Sequence, residues 1–227
     1  MTSRYTTNRD ISLNNITFRT FPRRALLLAA LAGSALLNTA CVPLLLGGAV
    51  AGGLTVATDR RTSGTQVEDE GIELKAGQRI KEQLGDRVHV NVNSYNRVVL
   101  LTGEVRAEED KATLVRIAGG VENVGKVLDE TAVTFQSSLG SRSNDVLIQS
   151  KIKATLVDAK DLISNAFYVV VERGDVYLLG RVTEREANRA SDLIAGIQGV
   201  KKVVRCFELI SEQELAEQLP RPAAKTP

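Results

Sequence analysis

The feature that most restricts how this chain can fold is that it contains one small unit twice. Set QRIKEQL (residues 78–84) over SKIKATL (150–156): Ile80 meets Ile152, Lys81 meets Lys153 and Leu84 meets Leu156. VVLLTGEV (98–105) then aligns with DVYLLGRV (175–182), placing Gly103 on Gly180. RIAGGVENVGKV (116–127) aligns with DLIAGIQGVKKV (192–203) when one gap is allowed. The offsets of 72, 77 and 76 residues put the length differences in loops, where insertions are tolerated.

Each copy predicts the same order of elements. Ile148, Ile152 and Leu156 recur every four residues and form one apolar stripe, which predicts a helix opened by Ser143-Asn144-Asp145. Phe167 to Val171 and Val176 to Leu179, separated by ERGD, predict a two-stranded hairpin. In the first copy the alternation of His89, Val90, Asn91, Val92 and Asn93 predicts a half-exposed strand with its polar residues outward. A second helix begins at Thr183, with Glu186 three residues on completing a capping box. Residues 203–209, or 127–135 in the first copy, close the unit with a strand. The fold class is therefore α+β, two αββαβ units of two helices on a small three-stranded sheet. Gly103 and Gly180, ending the second strand of each hairpin, read as positions of close backbone approach.

Composition removes several function classes. Hydrophobic residues make up 43% of the chain, but aromatics are only 4% and Trp is absent, which suits a small aliphatic core better than a large ligand cage. The single histidine, His89, offers no base for a nucleophile, and no Cys/His cluster exists for zinc. No Gly-rich loop is followed by Lys-Ser/Thr, and Glu108-Glu109-Asp110 reads as an acidic first helical turn rather than a metal cage. Cys206, beside Phe207 in the closing strand, reads as a small buried hydrophobe. The net charge of +2 arises at the N-terminus: residues 1–41 hold five Arg and one Asp, leaving 24 basic and 26 acidic residues elsewhere. That is not the balance of a nucleic-acid-binding domain.

The N-terminus has its own logic. Arg19, Arg23 and Arg24 precede an apolar run, and residues 25–58 carry no charge. This length could cross a bilayer, but Asn38, Pro43 and GGAVAGG interrupt the apolar helix. A basic region, a short apolar region and small residues before Cys41 instead form a secretory signal peptide over residues 1–40. The sequence resembles a bacterial lipobox in which Cys41 becomes the acylated first residue, although Asn38 stands where that pattern prefers Leu. Val42 follows Cys41, and the absence of Asp there points to the outer membrane. Residues 41–70 read as the lipidated N-terminus and a flexible tether, 71–137 as the first domain, 138–210 as the second and 211–227 as a disordered tail beyond a short helical start.

The αββαβ order, with LxGxV after the second strand, resembles the BON domain; two of them behind a lipobox resemble the dual-BON outer-membrane lipoproteins. The resemblance covers roughly residues 41–210. It implies a lipid-anchored protein on the periplasmic face, at the inner leaflet of the outer membrane, that binds anionic phospholipids such as phosphatidylglycerol or cardiolipin. It further implies support of envelope integrity and cell division, with no enzymatic activity and no cofactor.

Charge separates the copies. Residues 68–137 hold nine basic and thirteen acidic residues, whereas residues 138–210 hold eleven and nine. Either the surfaces have drifted, or the second copy faces anionic surfaces. Its first helix places Leu147, Lys151 and Ala154 on a lateral stripe beside the core positions. The candidate phospholipid site is Ser143, Asn144, Leu147, Ile148, Lys151 and Lys153, with Leu147 at the acyl boundary, the lysines on phosphates and the amides of the helix start available to a phosphate oxygen. In one member of the resembled family a large aromatic stands at the Leu147 position. The alternatives are that Leu147 packs on the first copy, and that the acidic first copy docks envelope-assembly or peptidoglycan-remodelling proteins.

Overall fold

A computed structural model describes residues 59–218 of the chain. The first repeat is α1 (Ser63–Leu84), β1 (Val88–Tyr95), β2 (Val98–Val105), α2 (Glu108–Gly119) and β3 (Lys126–Val133). The second is α3 (Leu139–Asp158), β4 (Tyr168–Glu172), β5 (Asp175–Leu179), β6 (Arg181–Val182), α4 (Glu184–Ala195), β7 (Lys202–Arg205) and β8 (Glu208–Leu209). A short α5 (Glu212–Gln218) follows, where the tail is expected to begin with a short helix. In each repeat the hairpin is antiparallel and the closing strand runs parallel to the hairpin's second strand, giving the orders β1-β2-β3 and β4-β5-β7.

Local chemistry explains the turns. The hairpins close through Asn96-Arg97 (φ 50° and 66°) and Arg173-Gly174 (φ 55° and 82°), left-handed pairs that match the strand twist. An aspartate from the preceding helix pins each turn. Asp69 accepts the N–H groups of Asn96 and Arg97, and Asp145 those of Arg173 and Gly174, all at 2.8 Å. At Gly103 (φ 113°) and Gly180 (φ 154°) a Cβ would lie 2.2 Å from the carbonyl oxygens of His89 and Ala166, so only glycine fits. Thr183 and Glu186 form the capping box that the sequence predicts.

Two expectations about α1 and its counterpart change. First, α1 starts at Ser63, capped by Thr62, so residues 63–70 are helix and not tether. Asp69 is buried there because it holds the hairpin turn. Second, the buried positions Asp69, Ile72, Ala76 and Ile80 match Asp145, Ile148, Ile152 and Leu156, an offset of 76. The expected offset of 72 in this helix is one turn out, because an apolar stripe repeating every four residues looks the same after a four-residue shift.

Two aliphatic clusters lie between helices and sheet, one per repeat. The first is built around Ile72, Ala76, Ile80, Leu101 and Leu114, the second around Ile148, Ile152, Leu178 and Ile194. Ala76 is fully buried, and its single methyl lets α1 sit close to the strands. A third cluster draws on both repeats. Tyr95, Leu100 and Leu128 from the first sheet meet Tyr168, Val170, Tyr177, Leu179, Val204 and Cys206 from the second. The open faces of the two sheets therefore cover each other.

This packing corrects the reading of β1. His89, Asn91 and Asn93 do not stand on a free solvated face but along the edge of the second repeat. Asn91 stays exposed yet donates to Glu172 at 3.0 Å, and the Tyr168 hydroxyl donates to Asn93 at 3.2 Å. His89 lies against buried Glu104. Cys206 is half-buried in the same seam, where burial pushes its thiol up to about 11. The segment before α1 closes the other end. Arg60 makes a two-pronged pair with Glu186 and donates to the carbonyl of Arg181, all within 2.8 Å.

Candidate functional site

The site expected on the second repeat's first helix maps onto α3, and the structure divides its residues. Ser143, Asn144, Leu147, Lys151 and Lys153 are exposed around the outer half of the helix. Ile148 is only 1% exposed and belongs to the core, so it cannot touch a lipid. The helix also starts earlier than expected, at Leu139, with Ser138 as its cap. Ser143 and Asn144 thus lie in the second turn, where their amides are spent on intrahelical bonds. The expected role of those amides in holding a phosphate oxygen is overturned.

The exposed face carries more apolar surface than the sequence reading assigns. Leu139, Val146, Leu147 and Val157 are all at least 61% exposed. Leu139, Val146 and Val157 recur at helical spacing along the outer face, with Leu147 beside them. The signal is a second apolar stripe, hidden because Val146 and Val157 sit next to core positions in sequence. Leu147, 61% exposed, is not buried against the first repeat. Phe135, 94% exposed, lies just before the helix.

Comparison with α1, 76 residues earlier, shows what is particular to α3. Glu70 and Gly71 stand where Val146 and Leu147 do. Lys75, the counterpart of Lys151, is paired with Glu122 at 3.3 Å, as is Arg79. In the second repeat Gln198 replaces Glu122 and Thr155 replaces Arg79. Neither Lys151 nor Lys153 has a salt-bridge partner among the described residues. The helix α1 holds three basic and five acidic residues, α3 three and two. Two uncommitted ammonium groups therefore flank an apolar stripe only on α3.

A cleft of about 710 Å³ borders this face, between β1 on one side and α3 with β4 on the other. Three of its polar side chains are committed: Asn91 to Glu172, Asn93 to Tyr168, and Gln149 to the carbonyl of Val169. The cleft reads as the seam between repeats. No group of three or more His, Cys, Asp or Glu among the described residues could hold a metal ion, and none of the described helices is long and apolar enough to cross a membrane. Cys41, the expected signal peptide and the part of the expected tether before Asp59 lie outside the described residues.

The BON domain matches the chain twice, over residues 68–134 and 144–210, in the same 76-residue register as the buried positions. The chain belongs to the BON family. Three relatives extend the comparison. Outer membrane lipoprotein DolP of Haemophilus influenzae is 36% identical over 185 residues, covering 81% of this chain and 95% of the relative. The 21 kDa hemolysin of Actinobacillus pleuropneumoniae is 28% identical, covering 69% and 81%. Osmotically-inducible protein Y of Escherichia coli is 32% identical over 119 residues, covering 50% and 58%. The similarity to the first covers most of both chains and places this chain among outer-membrane lipoproteins.

Proposed function

We propose that this protein, acylated at Cys41, binds anionic phospholipid of the outer membrane through the exposed face of α3. The observation that carries the reading is the pairing of Val146, Leu147 and Val157 with the uncommitted Lys151 and Lys153. At a membrane surface the aliphatic side chains enter the acyl boundary and each lysine near an anionic leaflet contributes about 1 kcal/mol. That is weak binding, and the acyl chains on Cys41 raise the effective concentration of headgroups around it. Phosphatidylglycerol and cardiolipin fit this chemistry. Holding the BON pair against the membrane is then how the protein supports envelope integrity and cell division.

An NMR titration with phosphatidylglycerol micelles tests the reading. Shifts are expected along the outer face of α3, from Ser143 to Val157, and their absence there overturns it. Recovery of a stoichiometric protein partner that is indifferent to Lys151→Glu and Lys153→Glu favours an adaptor role for the acidic first repeat instead.

A further inference from the structure

One end of the seam between the BON sheets carries ionisable groups that the lipid face does not use. Glu104 on β2 is 1% exposed, and neither of its carboxylate oxygens has a hydrogen-bond partner. Across the ladder stands His89, with Nδ1 3.3 Å from Oε2. From the second repeat Arg173 comes within 3.8 Å of Oε1. Glu172, also buried, receives the Asn91 amide. Asp145 on α3, Asp175 on β5 and Glu130 on β3 are the further acidic neighbours of this end. Two buried carboxylates, one from each repeat, thus lie close together, and the Arg173 guanidinium lies against the first of them.

We propose that this cluster is a pH-responsive latch, which holds the two BON sheets together more tightly as the periplasm acidifies. In the closed pair, Glu104 and Glu172 are shielded from water and repel each other. A proton on Glu172 removes that repulsion and brings the cluster closer to neutrality. Opening the seam returns both carboxylates to solvent and removes the penalty. Burial first, and then the Glu104 charge, push the Glu172 carboxyl above its ordinary range. A group whose pKa is raised in the closed state favours that state below its open-state pKa. The advantage is lost as pH rises through the closed-state value. The latch therefore loosens from the upper carboxylate range towards neutrality.

Cys206 reports on the seam, because its thiol lies in the inter-sheet cluster. The experiment compares Cys206 alkylation in the full-length protein and in Glu104→Gln, which keeps the shape and removes the charge. Taking the wild-type rate over the variant rate at each pH cancels the intrinsic chemistry of the thiolate. The ratio is expected near one at pH 5 and to rise by about tenfold for each unit by which closure raises the carboxyl pKa. A ratio that is constant from pH 5 to pH 8 overturns the latch. Should Glu104→Gln not fold, the carboxyl carbon of Glu172 is titrated by NMR in the wild-type chain. A midpoint at or below that of an ordinary glutamate overturns it equally.

Discussion

Arg60 and Glu186, 126 residues apart, join the segment before the first BON domain to the capping box of the second. Their side chains are 6% and 3% exposed and meet at 2.7 Å. Burial alone would raise the Glu186 carboxyl, but the Arg60 guanidinium and the Thr183 N–H hold it below its ordinary value. A stretch that reads as a polar linker is thus a strap across the two repeats.

Removing one partner of that pair leaves a buried charge alone. Arg60→Ala is expected to cost about 3 kcal/mol of unfolding free energy, and adding Glu186→Gln to recover part of it. Denaturant unfolding of the single and double variants checks this.

The same carboxylates set the acid limit. Burial raises the Asp69 carboxyl, but the Arg97 N–H, the Ser94 hydroxyl and Arg61 outweigh it and lower the pKa overall, as Arg60 does for Glu186. A depressed folded pKa contributes stability above the unfolded value and loses it as pH falls through the folded one. Melting temperature should therefore drop below about pH 4. In Asp69→Asn that drop should be shallower, although the variant starts lower at neutral pH.

The paired glycines give a steric test. At Gly103 and Gly180 an added Cβ would meet a backbone carbonyl at 2.2 Å, and at both φ is positive. Gly103→Ala and Gly180→Ala are each expected to destabilise their repeat by about 2 kcal/mol or more. Thermal melts with far-ultraviolet circular dichroism check it; an unchanged melting temperature contradicts the geometry.

Much of this fold is legible because the chain states it twice. The alternation of the strands, the capping box at Thr183 and Glu186, and the two ladder glycines all lie within short windows of sequence. What is not legible depends on contacts far apart in the chain. The polar face of β1 resembles a solvent-facing one, yet Asn91 finds Glu172, 81 residues on. Asp69 looks like one more surface acid until the hairpin turn it holds is in place. Of the site, Leu147, Lys151 and Lys153 are readable from spacing, and the same spacing already sets Ile148 on the core stripe. Val146 and Val157 are masked by the core stripe beside them.

The repeat comparison supplies its own variant. Gln198 occupies the position from which Glu122 engages Lys75 in the first repeat. Gln198→Glu should engage Lys151 in the same way, without disturbing the core. Binding to phosphatidylglycerol vesicles is expected to weaken about fivefold, the equivalent of one lysine near an anionic surface. Flotation of the purified protein with vesicles measures it.

The proposed lipid-binding face is the outer face of α3. Its most direct test is an equilibrium titration of the protein without its acyl anchor, as Cys41→Ser, with phosphatidylglycerol vesicles, comparing the wild-type lysines with Lys151→Glu/Lys153→Glu. The double variant is expected to keep the wild-type melting temperature and to lose vesicle binding. Wild-type affinity in that variant would contradict the claim.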